Sequence, residues 1–342
     1  MTAPVPGDVS PGGTRHFDSD DWGWRELWLP AGRVPQVVAA EFGVEVTGPV
    51  RLLGDGLLNQ SWHLPCSDHD RVLRVGRLER TAEQVRYERV AASNWAAVVP
   101  VVIVAEHEHV PVLDGHRLTL FPFVHGRSGQ GIDPETRTRA MVPVVVAMHH
   151  ASLAQGLPQR PGFTALDERP RWFGWEGARL AVMDRFGTGP DVQQPLAIVD
   201  RAIAELDTVL DRWRAEGRLD VRATVHGDFN PRNQLYRDGE LVGLIDTDDC
   251  RVEPLVWDVA NLAYCHPDVP AAAVWRLYRD AGGPLPEADE ELLATFARIG
   301  DLTAIMWLQD GDAPGEGPAT HLALRGLTDL AASLNGDPQR DI

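Results

Sequence analysis

The first half of the chain alternates hydrophobic and polar positions in a way that predicts a small sheet and one main helix. Three stretches carry the two-residue period of strands: "TGPVRLLG", "QSWHLPC" and "RVLRVGR". A short helix, "GRVPQVVAAEFG", precedes them and ends at Gly43, and a longer helix is predicted from about 79 to 97. Two further strands are predicted at "VPVVIVAE" and "RLTLFPFVHGRS".

After about residue 128 the period changes to that of helices. Helical patterns cover "PETRTRAMVPVVVAMHHAS", a segment around 174–186 and "PLAIVDRAIAELDTVLDRWRAEG". Two short strands, "NQLY" and "LVGLID", interrupt these helices and are joined by the turn "RDGE", and helices resume at about 255. The sequence thus predicts an α+β protein whose second part is mainly helical.

Composition adds two expectations about organisation. The 342 residues, 44% hydrophobic and 24% charged, are typical of a soluble globular protein and exceed the length of one average domain, which predicts two lobes. The opening stretch, "MTAPVPGDVSPGGTRHFDSDD", is rich in Pro, Gly, Ser and Asp and lacks enough apolar residues to pack. We therefore expect a flexible tail at 1–21.

The charge balance narrows the class of partner. A formal net charge of −18 argues against nucleic acid, because a polyanion is bound by a basic face. A cationic small molecule fits this charge better. The most apolar run, "AAVVPVVIVA", is too short to span a membrane, and no targeting pattern is present at the N-terminus. A cytoplasmic protein without a membrane partner is therefore expected.

Cysteine and histidine offer no metal site in this sequence. Cys66, Cys250 and Cys265 are odd in number and lack C-x-x-C spacing, which indicates reduced thiols instead of a disulfide framework or zinc site. His149 and His150 are adjacent in a predicted helix, where side chains point about 100° apart and make a poor chelate. Packing roles are expected for both histidines.

One stretch concentrates oxygen ligands, "ATVHGDFNPRNQLYRDGELVGLIDTDD" at 223–249. Asp228 and Asn233 share a loop, and Asp246 ends an apolar strand. Magnesium prefers such hard oxygen donors, and phosphoryl transfer to an alcohol uses a carboxylate that orients the hydroxyl and accepts its proton. Asp228 would be that base, and Asn233 and Asp246 would hold the metal. The alternative is a surface hairpin with acidic turns.

These residues also carry a resemblance to a known family. "HGDFNPRN" followed by "LIDTDD" resembles the catalytic and metal-binding loops of the aminoglycoside phosphotransferase and choline kinase family, which is related to the protein kinases. The resemblance implies Asp228 as catalytic aspartate, Asn233 and Asp246 as Mg2+ ligands, and His226 as a residue that braces the loop. "EPLVWDVANLAY" resembles the segment that supplies a buried supporting aspartate, here Asp258.

The resemblance implies a two-lobed, protein-kinase-like α+β fold. Its small antiparallel sheet lobe, with one main helix, would be the nucleotide-binding lobe at 22–124, and its mainly helical lobe at 125–342 would carry the catalytic loop and the acceptor-binding helices. In the small lobe, Arg74 in "RVLRVGR" stands where a phosphate-binding lysine is usual. Glu88 is the first candidate for its partner on the helix, and Glu83 is the second. The implied nucleotide-binding residues are Gly54, Gly56, Asn59, Ser61, Arg74, Glu88, Phe121 and Phe123.

The acceptor pocket is the least determined part. Carboxylates can bind ammonium groups and indoles can cover apolar faces, so acidic and aromatic residues of the second lobe are candidates. The alternative is that "LQDGDAPGEG" is a solvated loop. The candidate acceptor-binding residues are Asp249, Glu253, Trp257, Trp307 and Asp310.

The combined expectation is a Mg2+-dependent kinase that moves the γ-phosphate of ATP or GTP to a hydroxyl of a small molecule, most simply an antibiotic. A metabolic kinase for homoserine, choline, a hydroxylated amino acid or a sugar is the alternative with the same chemistry. An inactive kinase-like module that binds nucleotide is a third hypothesis, which the presence of Asp228, Asn233 and Asp246 together disfavours. The choice between ATP and GTP and the oligomeric state stay open.

Overall fold

The structure is a computed structural model, and its chain divides into two compact units. Unit 1 comprises Met1–Ser128 and Gln234–Ile245, and unit 2 comprises Gly129–Asn233 and Asp246–Ile342. The expected lobe boundary after residue 124 lies close to the one at Ser128, but the hairpin at 234–245 joins unit 1. The structure describes residues 14–19, 23–27, 29–53, 59–76, 80–168, 174–266, 268–303, 305 and 319–335.

Strands and helices are numbered in chain order over these described residues. The strands are β1 Thr14–Ser19, β2 Gly23–Leu27, β3 Arg51–Leu53, β4 Gln60–Leu64, β5 Arg71–Val75, β6 Val112–Leu113, β7 His116–Pro122, β8 Arg127–Ser128, β9 Arg222–Val225, β10 Gln234–Arg237, β11 Glu240–Leu244 and β12 Arg251–Pro254. The helices are α1 Val34–Phe42, α2 Ala82–Ala96, α3 Pro134–Gln155, α4 Trp175–Phe186, α5 Pro190–Ala215, α6 Val256–Cys265, α7 Ala271–Asp280, α8 Leu292–Leu302 and α9 Ala319–Asn335.

Unit 1 contains a five-stranded antiparallel sheet in the order β3-β4-β5-β7-β6. Trp62, Leu73 and Leu120 are partners across its three central strands, and all three are buried in a core with Val34 and Val38 of α1. Because successive side chains in a strand point to opposite faces, the intervening positions lie on the other face of the sheet. That second face carries the polar side chains considered below.

Two segments of unit 1 differ from the sequence-based expectations. The predicted strand "VPVVIVAE" is not a regular strand: Val102 forms an isolated bridge with Leu244, with hydrogen bonds of 2.7 and 3.0 Å on either side. The amide of Val102 donates to the carbonyl of Val99 at 3.1 Å, so Pro100 occupies the second position of a turn, where proline is favoured, and the chain turns there instead of continuing a strand. Residues 14–19, expected in the flexible tail, form β1, which pairs with β2.

In unit 2, α3 packs against β9 and α7, α6 against α7 and α8, and α5 against α4 and α9. The start of α3 is capped by Asp133, whose Oδ2 accepts from the Thr136 amide at 2.9 Å. The strands β9 and β12 pair antiparallel and lie at either end of the polar stretch 226–250. Among the helices of the described residues, none is both long and apolar enough to cross a membrane.

Candidate active site

The catalytic loop, residues 226–233, follows β9 and is fastened at its start by a buried carboxylate. Asp258 is fully buried near the beginning of α6, and its Oδ2 and Oδ1 accept from the amides of His226 at 3.0 Å and Gly227 at 2.9 Å. Farther along the loop, the amide of Phe229 donates to Oδ1 of Asn261 at 2.7 Å, one turn along the same helix. The loop backbone is therefore held by acceptors that α6 presents.

A chain of buried side chains continues behind Asp258. Nε2 of His149 lies 3.3 Å from Oδ2 of Asp258, and its Nδ1 lies 2.8 Å from the hydroxyl of Tyr278 in α7. A carboxylate can only accept, so Nε2 donates to Asp258 and Nδ1 accepts from the tyrosine. Burial raises the pKa of Tyr278, which keeps its hydroxyl protonated as this arrangement requires. The sequence indicated packing for His149 and offered no signal for Tyr278.

His226 and Gly227 shape the turn that leads to the catalytic aspartate. The buried imidazole of His226 stacks on Phe229 with ring centres 5.1 Å apart. Gly227 has a φ of 88°, and a Cβ placed there would lie 2.9 Å from the carbonyl oxygen of Asp249. Both the backbone angle and the close approach require glycine at this position.

Asp228 lies half-buried in the middle of the loop with both carboxylate oxygens held. Oδ1 accepts from the amide of Asn230 at 2.9 Å, and Oδ2 accepts from Nδ2 of Asn233 at 2.8 Å. Burial raises the pKa of Asp228, and the negative charge of Asp249 adds to the rise, whereas the two hydrogen bonds oppose it. The group is thus a partly desolvated carboxylate in one fixed orientation.

Asn233 and Asp246 supply the oxygen donors that a magnesium ion would need. Asn233 is buried and uses its amide nitrogen on Asp228, so its Oδ1, which accepts from none of the described residues, is turned away from that contact. Asp246 follows β11 in the left-handed region, with φ 67° and ψ 67°. No cluster of three or more His, Cys, Asp or Glu in the described chain could hold a metal. An amide oxygen and a carboxylate, completed by phosphates and water, nevertheless fit magnesium.

The acidic turn, residues 246–250, carries the remaining carboxylates close to the loop. The side chain of Asp249 is 57% exposed, while its backbone packs on Gly227. Of the acceptor candidates that the structure describes, Asp249 is therefore the one that is both exposed to solvent and within the electrostatic reach of Asp228.

Two other acceptor candidates, Glu253 and Trp257, are buried and already have partners within the protein. Glu253 is fully buried, with Oε1 2.5 Å from Nε of Arg251 and Oε2 accepting from the amide of Leu166 at 2.7 Å. Trp257 is 4% exposed and packs against Phe296 of α8. Residue type alone does not distinguish a buried ion pair or a core indole from a ligand contact. Trp307 and Asp310 lie outside the described residues.

In unit 1, Nη2 of Arg74 lies 3.5 Å from Oε2 of Glu88 in α2, and the arginine also lies over the ring of Phe121 at 4.8 Å. The sequence missed Arg80, which also pairs with Glu88. Glu83, the second choice for the partner of Arg74, is exposed. The structure therefore places the expected arginine–glutamate pair and adds a second cation to it.

The other nucleotide candidates of unit 1 have mixed placements. Ser61 is the β4 partner of Arg74, which places the two side chains on one face of the sheet. Asn59 immediately precedes β4. The amide of Phe123 already donates to the carbonyl of Asp70 at 2.8 Å. Gly54 and Gly56 lie outside the described residues.

Several solved structures with a similar fold are antibiotic phosphotransferases. A thermostable mutant of aminoglycoside phosphotransferase APH(4)-Ia is 18% identical, with a TM-score of 0.61 over 89% of this chain and 100% of that one. A GDP complex of a mutant aminoglycoside 2′-phosphotransferase-IIIa is 15% identical, with a TM-score of 0.64 over 90% and 100%. Macrolide 2′-phosphotransferase MphH from Brachybacterium faecium is 16% identical, with a TM-score of 0.54 over 90% and 98%.

These likenesses confirm the α+β, protein-kinase-like fold expected from the sequence. No curated protein sequence matches the chain. The sequence model of one family does match it, over residues 49–294, which include the sheet of unit 1, the catalytic loop, the acidic turn and Asp258. The chain belongs to the phosphotransferase enzyme family described by that model, APH.

Proposed function

We propose that this phosphotransferase moves the γ-phosphate of ATP or GTP to a hydroxyl group of a small-molecule antibiotic. The observation that carries the proposal is the 2.8 Å hydrogen bond between Asp228 and Asn233, because it joins the expected base to an expected metal ligand in one loop. Membership of the phosphotransferase family supplies the reaction class. Resistance of a host cell would follow from the phosphate added to the drug.

Asp228 has the properties that the acceptor-side role demands. Its carboxylate is fixed by two hydrogen bonds, yet each oxygen keeps lone pairs for a further donor. In the proposed reaction, an acceptor hydroxyl donates to Asp228, which orients the oxygen towards the γ-phosphorus and takes its proton as the new P–O bond forms. The bond between the γ-phosphorus and the bridging oxygen breaks, and the nucleoside diphosphate leaves.

Asn233 and Asp246 are the residues that would hold Mg2+. When bound, the ion would neutralise charge on the phosphate oxygens during transfer. The Arg74–Glu88 ion pair of unit 1 is assigned to nucleotide binding, because the planar guanidinium of Arg74 suits phosphate oxygens. Its partner Glu88 fixes the orientation of that side chain.

The acceptor class is proposed from the similar enzymes and from charge. Several of the similar structures hold antibiotics: hygromycin B in complexes of APH(4)-Ia and spectinomycin in a complex of APH(9)-Ia. In this chain the exposed carboxylate of Asp249 lies near Asp228, and the overall net charge is −18. Both features favour a cationic acceptor over a neutral or anionic one.

The test is a transfer assay with purified protein, Mg2+ and either ATP or GTP. The acceptor panel would contain aminoglycosides, spectinomycin, macrolides, peptide and nucleoside antibiotics, and also homoserine, choline, a hydroxylated amino acid and sugars. Phosphorylated product is detected by its mass, and antibiotic susceptibility is measured in a host that expresses the chain. We expect a phosphorylated antibiotic and a protected host.

Asp228→Asn is the active-site variant for this assay, and Asp268→Asn is its control because Asp268 is exposed in the same unit and loses the same charge. We expect kcat to fall about 100-fold or more only in the first variant. Turnover of homoserine, choline or a sugar without host resistance would replace the antibiotic by a metabolic acceptor. Nucleotide binding without transfer to any acceptor would support the inactive module.

A further inference from the structure

The acidic turn is held on its carbonyl side by two buried arginines. Nη1 of Arg160 donates to the carbonyl of Asp248 and, at 3.3 Å, to that of Cys250. Nη1 of Arg251 donates to the carbonyl of Asp249 at 2.8 Å. Three successive carbonyls of the turn therefore each accept from a guanidinium group.

Arg160 reaches the turn from a distant part of the chain, the segment that follows α3. Gly156 ends that helix in the left-handed region, with a φ of 62°. The side-chain amide of Gln159 then forms two hydrogen bonds of 3.0 Å with the backbone of Val252 in β12: Nε2 donates to the carbonyl, and Oε1 accepts from the amide. The guanidinium of Arg160 lies over the ring of Phe163 at 4.3 Å. These contacts fix the arginine in place beside the turn.

The acidic turn has two reasons to need such support. It brings Asp246, Asp248 and Asp249 within four residues, where like charges repel. Asp246 also adopts a φ of 67°, which is unfavourable for a residue with a Cβ. A buried cation that donates to the turn's carbonyls opposes both effects, because it attracts the carbonyl dipoles and the carboxylates together.

We propose that Arg160 is a positioning residue that holds Asp246 in the geometry for binding the metal–nucleotide complex. The inference rests on the proposed function, in which Asp246 is a metal ligand. The described hydrogen bonds of Arg160 go to carbonyls of the acidic turn, whereas Asp228 is oriented by donors from Asn230 and Asn233. Its removal should therefore weaken metal binding while leaving the base in place.

The experiment measures binding of Mn2+, as a probe for the metal, in the presence of a non-hydrolysable ATP or GTP analogue. Free Mn2+ is followed by electron paramagnetic resonance, and hydrogen exchange reports on the amides of the acidic turn. For Arg160→Met we expect the Mn2+ dissociation constant to rise roughly 10-fold or more, with faster exchange in the turn. The Mg2+ concentration for half-maximal transfer should rise in parallel, whereas kcat at saturating Mg2+ should stay near that of the wild type.

Two milder variants keep the test informative if Arg160→Met does not fold. Arg160→Lys retains the charge but loses the planar fork that serves two carbonyls, and Phe163→Leu removes only the ring beneath the guanidinium. Both should weaken Mn2+ binding in the same direction and by less than the methionine variant. Wild-type binding in both of these folded variants would overturn the proposal.

Arg222→Met is the matched control, because the described hydrogen bonds of Arg222, at 3.0 and 2.5 Å, fasten Asp167 of the same segment. It should lower thermal stability and leave Mn2+ binding unchanged. Equal Mn2+ losses in Arg160→Met and Arg222→Met would show a general structural role and overturn the inference. A wild-type protein that binds no Mn2+–nucleotide would instead overturn the proposed function, and this inference with it.

Discussion

The catalytic loop and the acidic turn are neighbours of similar size, and they are held by opposite means. The loop presents backbone amides inward, and the buried carboxylate of Asp258 accepts from two of them. The turn presents backbone carbonyls inward, and Arg160 and Arg251 donate to three of them. In each case a buried charge meets the end of the peptide dipole that attracts it, and this compensates part of the cost of burying that charge.

This difference explains why Asp228 and Asp246 are oriented in different ways. Asp228 is oriented by donors within its own loop, whereas Asp246 depends on a strained backbone angle that the turn must maintain. Substitutions of Asp258, which accepts from the loop amides, should therefore lower turnover through Asp228 and lower stability. Substitutions of the arginines that donate to the turn carbonyls should weaken metal binding.

The largest effect is expected from Asp258→Ala, which breaks the loop side of the comparison. The substitution leaves the amides of His226 and Gly227 buried without their acceptor and also deprives His149 of its partner. We expect a loss of about 3–5 kcal/mol in the free energy of unfolding and a large fall in kcat. Urea unfolding and transfer kinetics measure the two effects.

Asp258→Asn refines this test, since its amide oxygen can still accept one hydrogen bond. It should recover part of the stability and part of the turnover lost in the alanine variant. An alanine variant with wild-type kcat would contradict the loop-bracing role of Asp258. Unchanged unfolding free energy would contradict the two hydrogen bonds themselves.

A pH effect of about 3 kcal/mol on the free energy of unfolding is expected from His266, a buried titratable group just after the end of α6. Its Nδ1 lies 2.8 Å from Oγ1 of Thr138, and burial, assisted by Arg137, lowers its pKa from 6.5 to about 4. As pH falls from 6.5 to about 4, the unfolded chain gains a proton that the folded chain does not accept. The free energy of unfolding is therefore unaffected by His266 above pH 6.5 and falls progressively as the pH is lowered across that window.

Unfolding free energies measured across that pH window test the prediction. His266→Asn should flatten the fall in stability, because it removes the titrating group. His150→Asn is the control, since His150 is exposed in the same unit. The prediction fails if both variants retain the pH slope of the wild type.

A smaller loss, about 2 kcal/mol, is expected from Gly227→Ala, which acts where the loop and the turn meet. The new Cβ would lie 2.9 Å from the carbonyl oxygen of Asp249, and the φ of 88° adds its own cost. Gly239→Ala is the control, because its φ is 85° and nothing lies within 4 Å of its Cβ position. We expect both variants to lose stability, but only Gly227→Ala to lose transfer activity. Equal activity in the two would show that the contact has no influence on catalysis.

The sequence could predict the loop and turn themselves because their chemistry is local. Asp228, Asn233 and Asp246 lie in one contiguous stretch, and Asp258 follows shortly after it. The sheet of unit 1 was predictable for the same reason, since its strands alternate residue by residue. The strand expected at 99–106 does not form as a regular strand, because residues 99–102 make a turn with Pro100 at its second position.

The supporting residues could not be predicted, because each acts across a long separation in sequence. Arg160 contacts a turn from which it is separated in the sequence by α4 and α5. Tyr278 of α7 contacts His149 of α3. Tyr278 lies on the buried face of α7, but that helical period does not reveal that its hydroxyl meets His149, and Arg160 belongs to no such period. The ion pair between Glu253 and Arg251 could not be predicted either, because the burial of both residues in β12 is visible only in the folded chain.

The smallest effect is expected from Tyr278→Phe, which removes the outermost member of the chain behind the catalytic loop. His149 loses the donor to its Nδ1 but keeps its contact with Asp258, so we expect about 1 kcal/mol less stability and a few-fold lower kcat, with KM for both substrates unchanged. Tyr236→Phe is the control, because Tyr236 is equally buried and donates to Gln234 in the other unit. It should lose similar stability and keep kcat. If both variants kept kcat, the influence of the chain would end at His149, and Asp258 would hold the loop without help from α7.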